Sequence, residues 1–145
     1  MRDGHIGVAR VFVHDMFQSV IQRGDRIMAD YLATPHSYSS AVRAGDSIYL
    51  GLHRGGGDDF AAQLRDTLAG IERSLAHFGR PLSSLVQIHV YLKRIEDLGA
   101  MEKLIGDAFA EGRYPARMTT TTAFHDADCL VMIDGIATAR DGDRD

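Results

Sequence analysis

Phe60-Ala-Ala-Gln-Leu-Arg-Asp-Thr-Leu-Ala-Gly-Ile-Glu-Arg-Ser-Leu-Ala-His-Phe78, the stop Gly79-Arg-Pro81, and then Val86-Gln-Ile-His-Val-Tyr-Leu92 together decide the fold class. In the first stretch Phe60, Leu64, Leu68, Ile71, Leu75 and Phe78 step by four or three residues, which draws one apolar stripe along a helix. Asp58 or Asp59 is placed to cap its start. Gly79 holds the usual post-helix position and Pro81 blocks continuation. In the second stretch Val86, Ile88, Val90 and Leu92 alternate with Gln87, His89 and Tyr91, the period-two pattern of a half-buried strand. A helix with one apolar stripe leading into a strand with one apolar face predicts an α+β layered domain.

Working outward, Leu98, Met101, Ile105 and Phe109 mark a second helix that ends at Gly112. Arg117 to Phe124 and Leu130 to Ala139 read as closing strands, with His125-Asp-Ala-Asp128 turning between them. Upstream, Tyr38 to Arg43 and Ser47 to Leu50 flank Ala44-Gly45-Asp46, which predicts a β-hairpin. Gly55-Gly56-Gly57 precedes the first helix but lacks the Lys-Ser/Thr of a phosphate loop, so it reads as a flexible connection and helix entry. Val8 to Val13 suggests a strand, and Phe17 to Met28, broken by Arg23-Gly24-Asp25, a further hairpin. The expected order is ββ, helix, strand, helix, ββ. Residues 1–37 form an N-terminal extension contributing extra strands of the same domain, residues 38–140 its main body, and 141–145 a frayed tail. Two helices can cover only one face of such a sheet, so the other needs a partner, and oligomerisation is the economical answer.

A chain of 145 residues suits one domain with an ordinary core, and 45% hydrophobic with 25% charged residues is the balance of a folded soluble protein. The formal net charge is −4, with Lys and Arg scattered, so there is no basic footprint for nucleic acid or an anionic membrane. Cys129 is the single cysteine, which excludes an internal disulfide and points to a reducing cytoplasm. No apolar run approaches the ~20 residues that span a bilayer, and Met1-Arg-Asp-Gly-His5 lacks the basic-then-apolar order of a signal peptide. The seven histidines show no HxH or HxxxH pair, so no metal site is expected.

Several blocks resemble the YjgF/Rid (reactive-intermediate deaminase) family, in the family's order. They are Tyr38-Ser-Ser-Ala-Val42 with Gly45-Asp-Ser-Ile-Tyr-Leu50; Asp59 to Ile71, including Gln63, Thr67 and Leu68; Val90-Tyr-Leu-Lys93 with Ile95-Glu-Asp-Leu98; and Tyr114-Pro-Ala-Arg117 with Ile133-Asp-Gly-Ile-Ala137. Each motif alone is weak; their order and spacing make the signal, over roughly Tyr38 to Ala139. The resemblance implies a chorismate-mutase-like α+β fold, a mixed sheet with two helices on one face. It also implies a homotrimer with a barrel-like core and three inter-subunit clefts. Typical members hydrolyse imines, in equilibrium with enamines, to a 2-oxo acid and ammonia without a cofactor.

Arg117 is the first candidate for substrate binding, because a guanidinium offers a two-point donor fork to a planar carboxylate. Tyr38 matches a cleft tyrosine of the family. Thr119, two residues from Arg117 on the same sheet face, stands where typical deaminases have cysteine. The sequence also departs from the family. Gly51-Leu52-His53 replaces a Ser-Gly-Gln stretch, so Leu52 puts bulk where a glycine admits substrate. Met132 aligns with the acidic residue that positions water, and methionine cannot move a proton. Glu102 replaces an asparagine, while Asp134 falls on the other acidic position of the last strand. His53 and Glu102 are therefore the candidates for proton transfer. His89 and Cys129 read as structural. Two functions follow: hydrolysis of a carboxylate-bearing imine or enamine, or a non-deaminating trimer that binds a small metabolite or carries out dehydration, tautomerisation or cyclisation. A pure interaction scaffold stands third.

Overall fold

The structure, a computed structural model, describes residues 28–141. Val8 to Val13 and all but the last residue of the Phe17 to Met28 stretch lie outside the described residues. Six strands form one mixed sheet: β1 (Asp30–Ala33), β2 (Ser39–Ala44), β3 (Ser47–His53), β4 (Leu85–Leu92), β5 (Ala116–Thr121) and β6 (Val131–Thr138). Their order is β1-β2-β3-β6-β4-β5, with β4–β5 parallel and every other pairing antiparallel. The two closing strands are therefore not a hairpin. β6 inserts between β3 and β4, and β5 is left as an edge. β1, within the segment before Tyr38, forms the opposite edge.

The predicted hairpin is β2–β3. Ala44 pairs with Ser47 across a two-residue turn in which Gly45 has φ 59°, a left-handed conformation glycine adopts without strain. Helix α1 (Phe60–His77) starts at Asp59, whose side chain accepts the Ala62 N–H at 2.8 Å. Five of its six stripe residues, Phe60, Leu64, Leu68, Ile71 and Leu75, are buried. At about 1.5–3 kcal/mol per buried side chain, that stripe outweighs any intrinsic helix propensity. Helix α2 (Leu98–Ala108) buries Met101 and Ile105. Both helices lie on one sheet face, against Ile48, Leu50, Ile88, Val90, Val131 and Ile133. No helix among the described residues is long and apolar enough to cross a membrane.

Two local readings change. Val86 is half exposed, while Leu85 is buried. The β4–β6 register shifts between Leu85 and Gln87, and the extra residue of this bulge turns Val86 out of the core alternation. The Gly55–Gly57 run is a docked segment rather than a loose one. The Gly55 N–H donates to Thr67 Oγ1 at 2.8 Å and the Gly56 N–H to Asp66 at 2.7 Å. A Cβ on Gly55 would lie 2.4 Å from the Thr67 nitrogen, so only glycine allows this approach to α1.

Buried Gln63 ties α1 to the rest of the chain. Its amide nitrogen donates to the carbonyls of Gly57 (3.1 Å) and Asp128 (2.8 Å), and its oxygen accepts the Leu130 N–H at 2.8 Å. Arg54 pairs with Asp126 and Asp128 in the loop that Gln63 holds. Gln63→Leu keeps the bulk and strands three backbone groups, so unfolding in urea is expected to show a loss of about 2–4 kcal/mol.

His53 is also built into the helix-covered side. Its Nδ1 lies 2.8 Å from the Gly51 carbonyl, which can only accept, so Nδ1 carries the proton. Nε2, 2.8 Å from Ser74 Oγ, then accepts from the hydroxyl. Desolvation holds the imidazole below its ordinary value, outweighing the Gly51 bond that favours the charged form. The unfolded chain therefore takes up this proton more readily, and stability should fall as the pH drops through and below about 6.5. In melting curves from pH 8 to 5, His53→Gln should flatten that fall; an unchanged slope would assign it to other groups.

Candidate functional site

The parallel β4–β5 pairing sets Arg117 beside Ile88 and Thr119 beside Val90, so both face the helix-covered side at the free edge of the sheet. Tyr114 and Pro115 lead the chain into β5 immediately before them. Helix α2 runs above this edge. There Arg117, Glu102, Tyr114, Pro115, Ile88, Ile105 and Gly106 line a cavity of ≈ 460 Å³. Nη2 of Arg117 donates to the Glu102 carboxylate. The Arg117 side chain is 28% exposed and that of Glu102 53%, so the pair is reachable from solvent. The other guanidinium nitrogens have no partner among the described residues. The Thr119 hydroxyl is buried and likewise without a hydrogen-bond partner in the described chain.

Tyr38 lies at the far edge of the sheet. With Thr34, His36, Ser37, Ser39, Val42, Tyr49 and Gly51 it borders an open cavity of ≈ 590 Å³. His36 stacks on the Tyr38 ring at 5.7 Å between centroids. Thr34 Oγ1 pins this turn, donating to the Tyr38 carbonyl at 2.6 Å and accepting the His36 N–H at 3.2 Å. His36 carries no motif signal; only its fold neighbours reveal it.

Thus one chain unites Arg117 with Glu102 and leaves Tyr38 at the opposite edge. His53 and Leu52 line neither cavity. His53 is engaged on the helix side as described above. Leu52 sits in the β3–β6 register shift between Leu50 and His53 and is half exposed. Met132 pairs with Tyr91 on the uncovered sheet face, opposite the side that Arg117 occupies.

That uncovered face holds a polar network the sequence did not announce. His89 Nδ1 donates to Asp134 at 2.8 Å, Gln87 donates to His89 Nε2 at 2.9 Å, and the Tyr91 hydroxyl donates to Asp134 at 3.0 Å. The Asp134 hydrogen bond raises the Tyr91 phenol above its ordinary value. Burial raises the Cys129 thiol, which is fully enclosed and poor in thiolate. No group of three His, Cys, Asp or Glu side chains among the described residues could hold a metal.

Residues 28–139 match the family described as Endoribonuclease L-PSP. A RutC family protein of Pyrococcus horikoshii is 28% identical over 111 residues, covering 69% of this chain and 85% of that one. Among solved structures, a YjgF-family protein from Neisseria meningitidis superposes with a TM-score of 0.76 at 30% identity, over 80% of this chain and 98% of the other. A YjgF-family member from Mycobacterium tuberculosis gives 0.71 at 27% identity, over 76% and 98%. With the match running from the strand before Tyr38 to the end of β6, and the fold superposing on solved YjgF-family structures over most of its length, the chain belongs to the YjgF/Rid family.

Proposed function

We propose that this chain hydrolyses small carboxylate-bearing imines or enamines at clefts between the subunits of a homotrimer. The observation that carries the reading is the Arg117 guanidinium at a half-open, apolar-walled cavity on a free sheet edge. An imino acid offers a planar carboxylate to the guanidinium fork, and the walls of Ile88, Ile105 and Tyr114 suit a short apolar side chain.

In the reaction, water adds to the imine carbon, and the carbon–nitrogen bond of the resulting carbinolamine breaks to leave a 2-oxo acid and ammonia. A group must take a proton from water and return one to nitrogen. Glu102 is the carboxylate in the cavity, and its reach to the guanidinium puts it beside the bound carboxylate. His53, with both ring nitrogens engaged elsewhere, has no part in this scheme. The two cavities at opposite sheet edges support a ring in which the Arg117 edge of one protomer meets the Tyr38 edge of the next, a head-to-tail contact that closes at three. Exposed Tyr31, Tyr49 and Met118 on the uncovered face give such a ring apolar surface to bury. A cytoplasmic location belongs to the same proposal.

The replacements at Leu52 and Met132 favour one second reading, a trimer that binds its metabolite without turnover. Cleavage of RNA, which the family's description names, finds no support in a net charge of −4 or in a cavity whose lysine and arginine complement is Arg117 alone, already paired.

Ammonia release from freshly generated imino acids tests the proposal. Wild type should accelerate it, and Arg117→Ala should lower kcat/KM by about 10- to 100-fold, the worth of a charge-assisted bidentate contact. A wild type no faster than Arg117→Ala would dismiss deamination, and bound ligand recovered unchanged would establish the binder. Light scattering should return three protomers per particle; a monomer would remove the composite cleft.

A further inference from the structure

The charge of the Arg117 cavity specifies more than a carboxylate. Of its lining residues, Arg117 and Glu102 are the only two carrying a full charge, and they contact one another. The remaining walls are Ile88, Ile105, Gly106, Tyr114 and Pro115. The cavity is thus neutral as a whole, with its positive and negative poles side by side. A monoanion that enters leaves one uncompensated negative charge beside Glu102, and like charges at this range repel. A ligand with its own negative and positive poles leaves none. Among the described residues lining the Tyr38 cavity, His36 is the only one that could become a compensating cation.

We infer that the site selects zwitterions: Arg117 takes the carboxylate and Glu102 the adjacent cationic nitrogen, so the ligand is the protonated iminium form of an amino-acid-derived imine. This rests on the hydrolytic reading above and narrows its substrate. Glu102 holds one guanidinium nitrogen, leaving the others for the incoming carboxylate. The iminium is the electrophilic form of the imine. The balanced step is R–C(=NH2+)–COO− plus H2O giving R–CO–COO− plus NH4+. Water's oxygen becomes the ketone oxygen, both its protons pass to nitrogen, and the electron pair of the broken carbon–nitrogen bond leaves with ammonia. The product acid is a monoanion, so the Glu102 charge that held the substrate repels the product and favours its departure.

Calorimetric titration with L-alanine and with pyruvate, which share a three-carbon skeleton and differ in net charge, isolates the effect. Wild type should bind alanine at least about tenfold more tightly than pyruvate. Glu102→Gln, isosteric and on a half-exposed helix position, should weaken alanine, strengthen pyruvate and so reverse the order. Arg117→Ala should weaken both. Circular dichroism and melting curves establish that each variant is folded. Pyruvate bound as tightly as alanine by wild type, an order unmoved by Glu102→Gln, or no binding of either would each overturn the inference. Ammonia release by wild type alongside any of these leaves the hydrolytic reading standing, whereas the alanine preference without ammonia release would retain charge selection in a protein that is not a deaminase.

Discussion

One-sided burial governs this molecule. Helices α1 and α2 have apolar stripes enough for a single face of the sheet, and the core they make with Ile48, Leu50, Ile88, Val90, Val131 and Ile133 uses that face completely. Gln63 then fixes where α1 can lie. A buried amide bonded to three backbone groups cannot move without stranding them, so the segment before α1 and the segment before β6 are set by one side chain. Strand order follows, because β6 enters the sheet between β3 and β4 from the loop that Gln63 and Arg54 hold.

The same arrangement makes the edges chemically useful. Inserting β6 centrally pushes β5 to the rim, where Arg117 and Thr119 lack a neighbouring strand on one side. There the Thr119 hydroxyl is buried without a hydrogen-bond partner among the described residues. At the other rim, β1 and the pinned Thr34–Tyr38 turn hold His36 and Tyr38 outward. In the proposed trimer each rim would contribute part of a cleft, and their separation across six strands means that the two come together only between protomers.

Periodicity revealed the α1 stripe and the β4 alternation because hydrophobic burial dictates them, and the Ala44-Gly45-Asp46 turn revealed the β2–β3 hairpin. Periodicity failed at Val86, since a bulge adds a residue without altering composition. It could not order the strands, because β5 and β6 adjoin in sequence while pairing is decided by long-range packing. The Gly55–Gly57 run shows the limit from the other side: glycines permit flexibility and close approach equally, and only the neighbouring Thr67 and Asp66 decide between them. Among site residues, Arg117 and Glu102 were legible through aligned motifs, and their mutual contact was not. His36 and the Gln87-His89-Asp134-Tyr91 network were invisible, because exposed or half-buried polar residues on a strand or turn follow no period.

That network bears on what Met132 costs the chain. Asp134 is two residues from Met132 on the same face, the nearest carboxylate to the position where the sequence departs from its family. It is tied into the strand face, one oxygen accepting from His89 and the other from Tyr91. His89 in turn donates a hydrogen bond from Nδ1 to Asp134 and accepts one at Nε2 from Gln87, so both ring nitrogens are engaged. A carboxylate and an imidazole so bonded order the strand face. In the proposed hydrolysis the proton-transferring group lies on the opposite side of the sheet, at Glu102, a carboxylate that can carry charge.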